Sequence, residues 1–139
     1  MDEQQEIWDF LDRHLNAIFS GDWEAYQATT AADLSLYEYW ILPHRQDGLD
    51  FHQFMIQNRW SGRPTAQRYD LFEKRCQRYG DTAVVTYTFM LSQAFPDGLR
   101  HRAHNETRVL VKQNGEWNVV HVHKSPCTWP PAANSAGHP

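Results

Sequence analysis

The sequence predicts an α+β domain in which N-terminal helices pack on one face of a curved antiparallel sheet. Two observations carry this prediction. In the first part of the chain, apolar residues recur every three or four positions, whereas from Gln67 onward the hydrophobic period is two. Turn sequences of the hairpin type, Gly80-Asp81, Pro96-Asp97-Gly98 and Asn114-Gly115, separate the period-two segments. Helices that precede a run of strands favour two layers around a single core.

Length, charge and composition limit the class of protein. The 139 residues suit one domain, which we place at residues 1–127, followed by a flexible Pro- and Ala-rich tail at residues 128–139. Thirteen Lys and Arg against 17 Asp and Glu give a net charge of −4 without a long basic run, which argues against nucleic acid binding. No signal peptide is evident, and no apolar stretch approaches the roughly 18 residues of a membrane span. We therefore expect a cytoplasmic protein without membrane contact, in which Cys76 and Cys127 are reduced.

Three helices and one strand are predicted before the period changes. An apolar stripe predicts the first helix over residues 3–19, which should end at Ser20-Gly21. Asp22 has the position of an N-cap for a short second helix, and residues 49–60 form the third. Residues 34–40 alternate as a strand and lead into a turn that contains Pro, Asp and Gly.

Four further strands are predicted over residues 68–79, 81–95, 99–113 and 116–125. Side chains alternate along a strand, so each strand has one face under the helices and one face away from them. The face away from the helices is too apolar to meet solvent, and we expect it to bind a second copy of the chain. The residues expected at this interface are Trp117, Val119, His121, His123, Val109 and Val111.

Several stretches of the sequence resemble one known family. These are GDWEAY at residues 21–26, LSLYEYW at 34–40, GLDFHQF at 48–54 and ETRVLVKQNGEWNVVHVHKS at 106–125. In order and spacing they resemble the association (hub) domain of calcium/calmodulin-dependent protein kinase II, from about residue 3 to residue 127. The resemblance implies a nuclear transport factor 2-like fold, in which a cone of curved sheet surrounds a long helix. It also implies a homodimer formed through the sheet and a ring of such dimers.

The catalytic motifs of a protein kinase are absent from the sequence. There is no Gly-rich loop, no phosphate-contacting Lys motif and no catalytic Asp motif, so we expect no phosphotransfer activity. The resemblance instead implies a role in assembly, and we expect no cofactor and no bound metal.

The family domain also has a polar pocket inside the cone that accepts small carboxylates. By resemblance, its histidine corresponds to His52, its rim aromatic to Trp60 and one of its arginines to Arg108. Lys124 replaces a second arginine, which keeps the charge but loses the bidentate fork, and Phe89 replaces a third. We therefore expect a less cationic and drier pocket than that of the family. The predicted pocket residues are His52, Trp60, Arg108, Lys124, Phe89, Tyr87 and Glu38.

The role of the two pocket cations stays open at the level of sequence. Arg108 and Lys124 form either a clamp for an anionic ligand or structural pairs with Glu38, Glu106 or Asp33. Buried charges are usually paired within the protein, so structural ion pairs remain an alternative to the ligand clamp.

The histidines have a favoured and a less favoured interpretation. His121 and His123 are favoured as an interface pair that titrates near neutral pH, because two ligands without a third make a weak metal site. For His52 the default is a hydrogen-bonded position in the core.

An enzyme of the same fold is the alternative to an assembly domain. Isomerases and dehydratases of the SnoaL-like kind use this cone as an active site, and fold alone does not decide between the functions. The candidates would be His52 as general base, Tyr37 or Tyr87 as hydrogen-bond donor and Arg108 as oxyanion stabiliser.

Overall fold

Three helices and six strands make up the computed structural model, which describes residues 3–58 and 64–127. Trp60 and the tail at residues 128–139 lie outside the described residues, so the expectations for them stay predictions. The elements in chain order are α1 (Glu3–Ser20), α2 (Trp23–Ala28), β1 (Thr30–Tyr37), β2 (Gln46–Asp47), α3 (Asp50–Gln57), β3 (Ala66–Tyr79), β4 (Thr82–Phe95), β5 (Gly98–Gln113) and β6 (Glu116–Pro126).

The helices follow the predicted pattern. Ile7, Leu11 and Leu15, at spacings of four, are buried along α1. The Asp22 side chain accepts a hydrogen bond from the backbone N–H of Ala25 at 3.1 Å, as expected for the N-cap of α2. Among the described residues, no helix combines the length and the apolar character needed to cross a membrane.

The strands form one sheet in the order β2-β1-β6-β5-β4-β3. Neighbours from β3 to β6 are antiparallel, as their hairpin turns predict. However, β1 runs parallel to β6, so the sheet is mixed rather than wholly antiparallel. Hairpin signals describe consecutive strands, and the whole β3–β5 meander separates β1 from β6. No turn sequence therefore encodes the direction of β1.

The helix α1 packs on one face of this sheet, which we call the inner face. On β4, the buried residues Val85, Tyr87, Phe89 and Leu91 alternate with partly exposed residues. These inner side chains form one core with the apolar stripe of α1, and burial of this apolar surface stabilises the two-layer arrangement. The predicted α+β class is confirmed.

A β-bulge in β6 corrects one part of the prediction. Val109 pairs with His121 and Leu110 pairs with Val119, so Val120 is an extra residue on β6. The extra residue shifts the alternation. Before the bulge, Trp117 and Val119 point inward and are buried in the core. The prediction that they share the outer face with the two histidines, and hence the expected interface, is therefore wrong.

After the bulge, the inner positions of β6 are taken by Val122 and Lys124. His121 and His123 point to the opposite face, which we call the outer face, and both are at least partly exposed. Val109 and Val111 on β5 also lie on the outer face and are partly exposed. For these four residues the predicted placement agrees with the structure.

Candidate functional site

A cavity of about 220 Å³ opens between α1, α3 and the inner face of the sheet. Its walls are mostly apolar on the helix side and mostly polar on the sheet side. The apolar walls include Leu15, Ile18, Phe19, Phe51, Met55 and Phe89. The polar lining comprises Glu38, His52, Arg102, His104, Glu106, Arg108 and Lys124.

Glu106 is the centre of a buried hydrogen-bond network behind the cavity. Its carboxylate accepts a hydrogen bond from Tyr87 Oη at 2.6 Å, contacts His104 Nε2 at 2.5 Å and forms an ion pair with Arg108 Nη1. Arg108 Nη1 also donates to Tyr87 Oη at 2.6 Å. Burial alone would raise the pKa of the Glu106 carboxyl, but the charges of Arg108 and Lys124 outweigh it and hold that pKa well below its usual range. Glu106 is therefore ionised and compensates Arg108.

Lys124 is paired in the same way. Its Nζ donates to Glu38 Oε2 at 2.9 Å, and both side chains are largely buried. The structure thus shows both predicted pocket cations in ion pairs with carboxylates of the same chain, Arg108 with Glu106 and Lys124 with Glu38. Of the two alternatives left open by the sequence, it shows structural pairing.

His52 is a buried histidine that also lines the cavity. Its Nδ1 forms a hydrogen bond with Tyr26 Oη, so the default prediction of a hydrogen-bonded core histidine is confirmed. Burial, followed by the charges of Lys124 and Arg108, lowers the pKa of His52 to about 3. A group with that pKa has little affinity for a proton near neutral pH, which makes His52 a poor general base.

The two tyrosines named as hydrogen-bond donors occupy different places. Tyr87 is inside, but its hydroxyl is committed to Glu106 and Arg108. Tyr37 lies on the outer side of β1, with its ring centroid 4.9 Å from that of His123. The suggestion that Tyr37 serves the cavity is therefore wrong, because the alternation of β1 directs it away.

Among the cavity residues that the sequence analysis did not assign to the pocket, three polar or aromatic ones lie together. Trp40 follows β1, and Arg102 and His104 lie on β5. The guanidinium carbon of Arg102 is 4.7 Å from the centroid of the Trp40 ring, and the His104 ring centroid is 5.0 Å from it. The sequence could have indicated Arg102 and His104, because positions 102, 104, 106 and 108 are every second residue of one strand and therefore share a face. For Trp40, which lies in a loop, no periodicity was available.

The outer face carries a second group of polar residues among apolar ones. His121 Nδ1 forms a hydrogen bond with Ser35 Oγ at 2.7 Å, and the His121 and His123 ring centroids are 6.2 Å apart. Partial burial, and then the charge of His123, lowers the pKa of His121 below its ordinary value. Within residues 3–58 and 64–127, no group of three or more His, Cys, Asp or Glu side chains is arranged to hold a metal ion.

Comparison with known proteins identifies the family. The family model of the calcium/calmodulin dependent protein kinase II association domain matches residues 3–128. The chain belongs to this family. Among curated relatives of the association domain, the delta subunit of calcium/calmodulin-dependent protein kinase type II from Oryctolagus cuniculus is 28% identical over 124 residues. This match covers 88% of the chain but 23% of the relative, so the chain spans about a quarter of the length of that kinase subunit.

Solved association domains have the same architecture. The hub of the S. rosetta kinase is 31% identical with a TM-score of 0.79, and the match covers 88% of the present chain and 95% of the hub. The association domain of the C. elegans kinase is 26% identical, also with a TM-score of 0.79 and the same two coverages. A nuclear transport factor 2-like protein from Salmonella enterica is 20% identical with a TM-score of 0.69 over 90% of the chain and 92% of that protein, which establishes the fold alone. The fold implied by the resemblance is thus confirmed.

Proposed function

We propose that the chain is a homo-oligomerisation domain that dimerises through the outer face of its sheet. The observation that carries this proposal is the apolar centre of that face. Val84, Met90, Val109 and Val111 lie there in partly exposed positions, whereas the inner face of the same strands is filled by the core. When both faces of a sheet are apolar, each must be buried from water. The helices bury the inner face, and a second copy of the chain would bury the outer face.

The register brings the valines of this face together in one patch, whereas Met90 pairs with Ala103 further along the sheet. Val109 lies directly opposite Val84 on β4 and opposite His121 on β6. Cross-strand neighbours on one face are close enough to act as one contact surface. The patch is therefore centred on Val109, with His121 and His123 at its β6 side.

The similarity to hub domains supports a further level of assembly. Solved relatives of the chain are named as hub or association domains of the kinase. We extend the proposal from a dimer to a ring of dimers, in which the sheet contact is one interface and a second surface joins neighbouring dimers.

The assembly is tested by substituting the centre of the patch. We expect Val109→Lys to break the sheet contact and so to lower the native mass below that of the wild-type multimer, because a buried unpaired ammonium opposes the contact strongly. Light scattering on a sizing column measures the mass, and circular dichroism verifies that the chain stays folded. Gln113→Lys is the matched control, since it places the same charge at an exposed position near the end of the same strand. A wild-type chain that is monomeric, or a Val109→Lys variant of unchanged mass, contradicts the proposed interface.

We propose in addition that the cavity binds a small anionic ligand of the carboxylate class. Three side chains of Arg and Lys and two carboxylates line it, which leaves one net positive charge from these five groups. The apolar helix side offers contact to a non-polar ligand body. The melting temperature should rise more in benzoate than in the neutral analogue benzamide, because a ligand that binds only the folded chain stabilises it in proportion to its affinity.

An isomerase- or dehydratase-like activity has less support from the geometry. Of its candidate residues, His52 has a pKa unsuited to a general base, and Tyr37 faces away from the cavity. Tyr87 and Arg108 are bonded to Glu106 and to each other.

A further inference from the structure

Arg102 differs from the other two cations of the cavity. Arg108 is paired with Glu106, and Lys124 is paired with Glu38. Within the described residues, no Asp or Glu lies within ion-pair distance of the Arg102 guanidinium. The net positive charge of the cavity is therefore localised on Arg102.

The position of Arg102 is at the mouth of the cavity. Along β5, Arg108 and His104 are almost completely buried, whereas Arg102 is exposed. Its guanidinium carbon lies 4.7 Å from the centroid of Trp40, which also lines the cavity and is 38% exposed. Stacking on an aromatic ring restrains a guanidinium while its N–H groups at the edge stay available for hydrogen bonds.

The energetics of Arg102 favour an anion at this place. Partial desolvation lowers the pKa of Arg102, and the charge of Glu38 opposes that shift without an ion pair. Partial desolvation of an unpaired cation costs free energy, and a carboxylate in contact with the guanidinium would recover it. The flat fork of the guanidinium also matches the two oxygens of a carboxylate.

Arg108 is poorly placed for the same task. Its Nη1 donates to Tyr87 Oη and pairs with the Glu106 carboxylate. A ligand anion that approached Arg108 would also approach the negative charge of Glu106, which repels it at short range. Arg108 therefore balances a buried charge of the protein.

We propose that Arg102, stacked on Trp40, is the residue that binds the anionic group of the cavity's ligand, and that Arg108 is structural. The inference rests on the proposed anion-binding function of the cavity. The ligand it describes is a small monocarboxylate with an apolar body that points inward toward Phe89 and Phe51. A cavity of about 220 Å³ has room for such a body, since an apolar cavity of about 150 Å³ accepts benzene.

The test measures the affinity of benzoate and of benzamide for the wild-type chain and for two variants. We expect Arg102→Gln to weaken benzoate binding by roughly ten- to a hundredfold, as for the loss of a charge-assisted hydrogen bond, and to leave benzamide binding unchanged. Arg100→Gln is the matched control, because Arg100 lies on the same strand but does not line the cavity and is paired with Asp97 at 3.0 Å. Its affinity for benzoate should equal that of the wild type.

Two outcomes would overturn the inference, and they are distinguishable. Benzoate that binds the wild type and Arg102→Gln equally well removes Arg102 as the anion-binding residue and leaves the anion-binding function standing. A wild-type chain that binds neither benzoate nor benzamide overturns the proposed function of the cavity together with the inference. Arg102→Lys adds a check on geometry, since it keeps the charge, loses the fork and should give an intermediate affinity.

Discussion

At the scale of single residues, the interior of the cone depends on Glu106. This carboxylate is contacted by a tyrosine, a histidine and an arginine that are all buried. A buried charge is tolerated when its partner is present, and removal of one partner leaves the other uncompensated. Glu106 thus allows Arg108 to remain charged in the core.

The first prediction concerns this compensation. Glu106→Gln should lower the free energy of unfolding by about 3 to 5 kcal/mol, because Arg108 would stay buried without an opposite charge. Tyr87→Phe, which removes one hydroxyl from the same network, should cost about 1 to 3 kcal/mol. Urea denaturation at neutral pH measures both values. If Glu106→Gln costs no more than Tyr87→Phe, the ion pair is not what stabilises the network.

The face on which a side chain lies was predictable where the residue belongs to a regular strand, because side chains alternate there. The sequence analysis placed Arg108 and Lys124 inside the cone from alternation and resemblance together, and both are there. Arg102 and His104 follow from the same alternation extended by two more steps upstream. The sequence named Glu38 and Glu106 as candidate partners but did not decide between pairing and a ligand clamp. The choice of Glu38 for Lys124 was not predictable, because the two lie 86 residues apart and sequence separation gives no distance in space.

At the scale of elements, the helices and the consecutive hairpins were predictable because their signals are local. The cap at Asp22 and the Asn114-Gly115 turn each involve a few neighbouring residues, and in that turn Asn114 has a φ of 54° and Gly115 a φ of 81°. The bulge at Val120 and the parallel pairing of β1 with β6 depend on contacts with distant strands. Contacts between distant strands produce no hydrophobic period and no turn residue in the sequence by which they could be predicted.

The second prediction tests the bulge. Deletion of Val120 should prevent stable folding, because one side of β6 must then rotate and expose either Trp117 and Val119 or Val122. Val120→Ala retains the residue count at a partly exposed position and should change the free energy of unfolding by less than about 1 kcal/mol. Circular dichroism and thermal melting distinguish the two variants. A deletion variant that melts like the wild type would show that β6 does not need its extra residue.

At the scale of the whole molecule, the two faces of the sheet separate the proposed roles. The inner face forms the core and the cavity, whereas the outer face carries the proposed subunit contact. His121 and His123 lie in that contact beside Ser35, Tyr37, Thr107 and Val109, with which the register pairs them. None of those four neighbours is an acidic or basic side chain of the Asp, Glu, Lys or Arg type.

The third prediction is that acid dissociates the assembly. The pKa of His121 lies below the ordinary 6.5, so the folded chain favours the neutral ring. Burial in the contact would lower this pKa further, so we expect the contact to be complete above about pH 6.5 and to weaken as the pH falls through the lowered pKa, where protonation of His121 would place a charge in an apolar contact. Light scattering near pH 7.5 and near pH 5.5 measures the loss of mass.

Two variants make this prediction specific to the contact. The double variant His121→Gln with His123→Gln should keep its mass at both pH values. His44→Gln, which removes a histidine from an exposed loop, should behave like the wild type. A wild-type mass that is the same at both pH values would show that the histidine pair does not control assembly.

The extra residue of β6 also lets a single strand serve two regions of the molecule. In a strand without a bulge, every second side chain faces the same side along the whole length. One inserted residue therefore moves all later side chains to the opposite face, unless a bulge accommodates it. In this chain Val120 is the bulge residue at which the alternation of β6 changes. The same strand therefore supplies Trp117 to the core before the bulge and Lys124 to the cavity after it, while His121 and His123 stay on the opposite face.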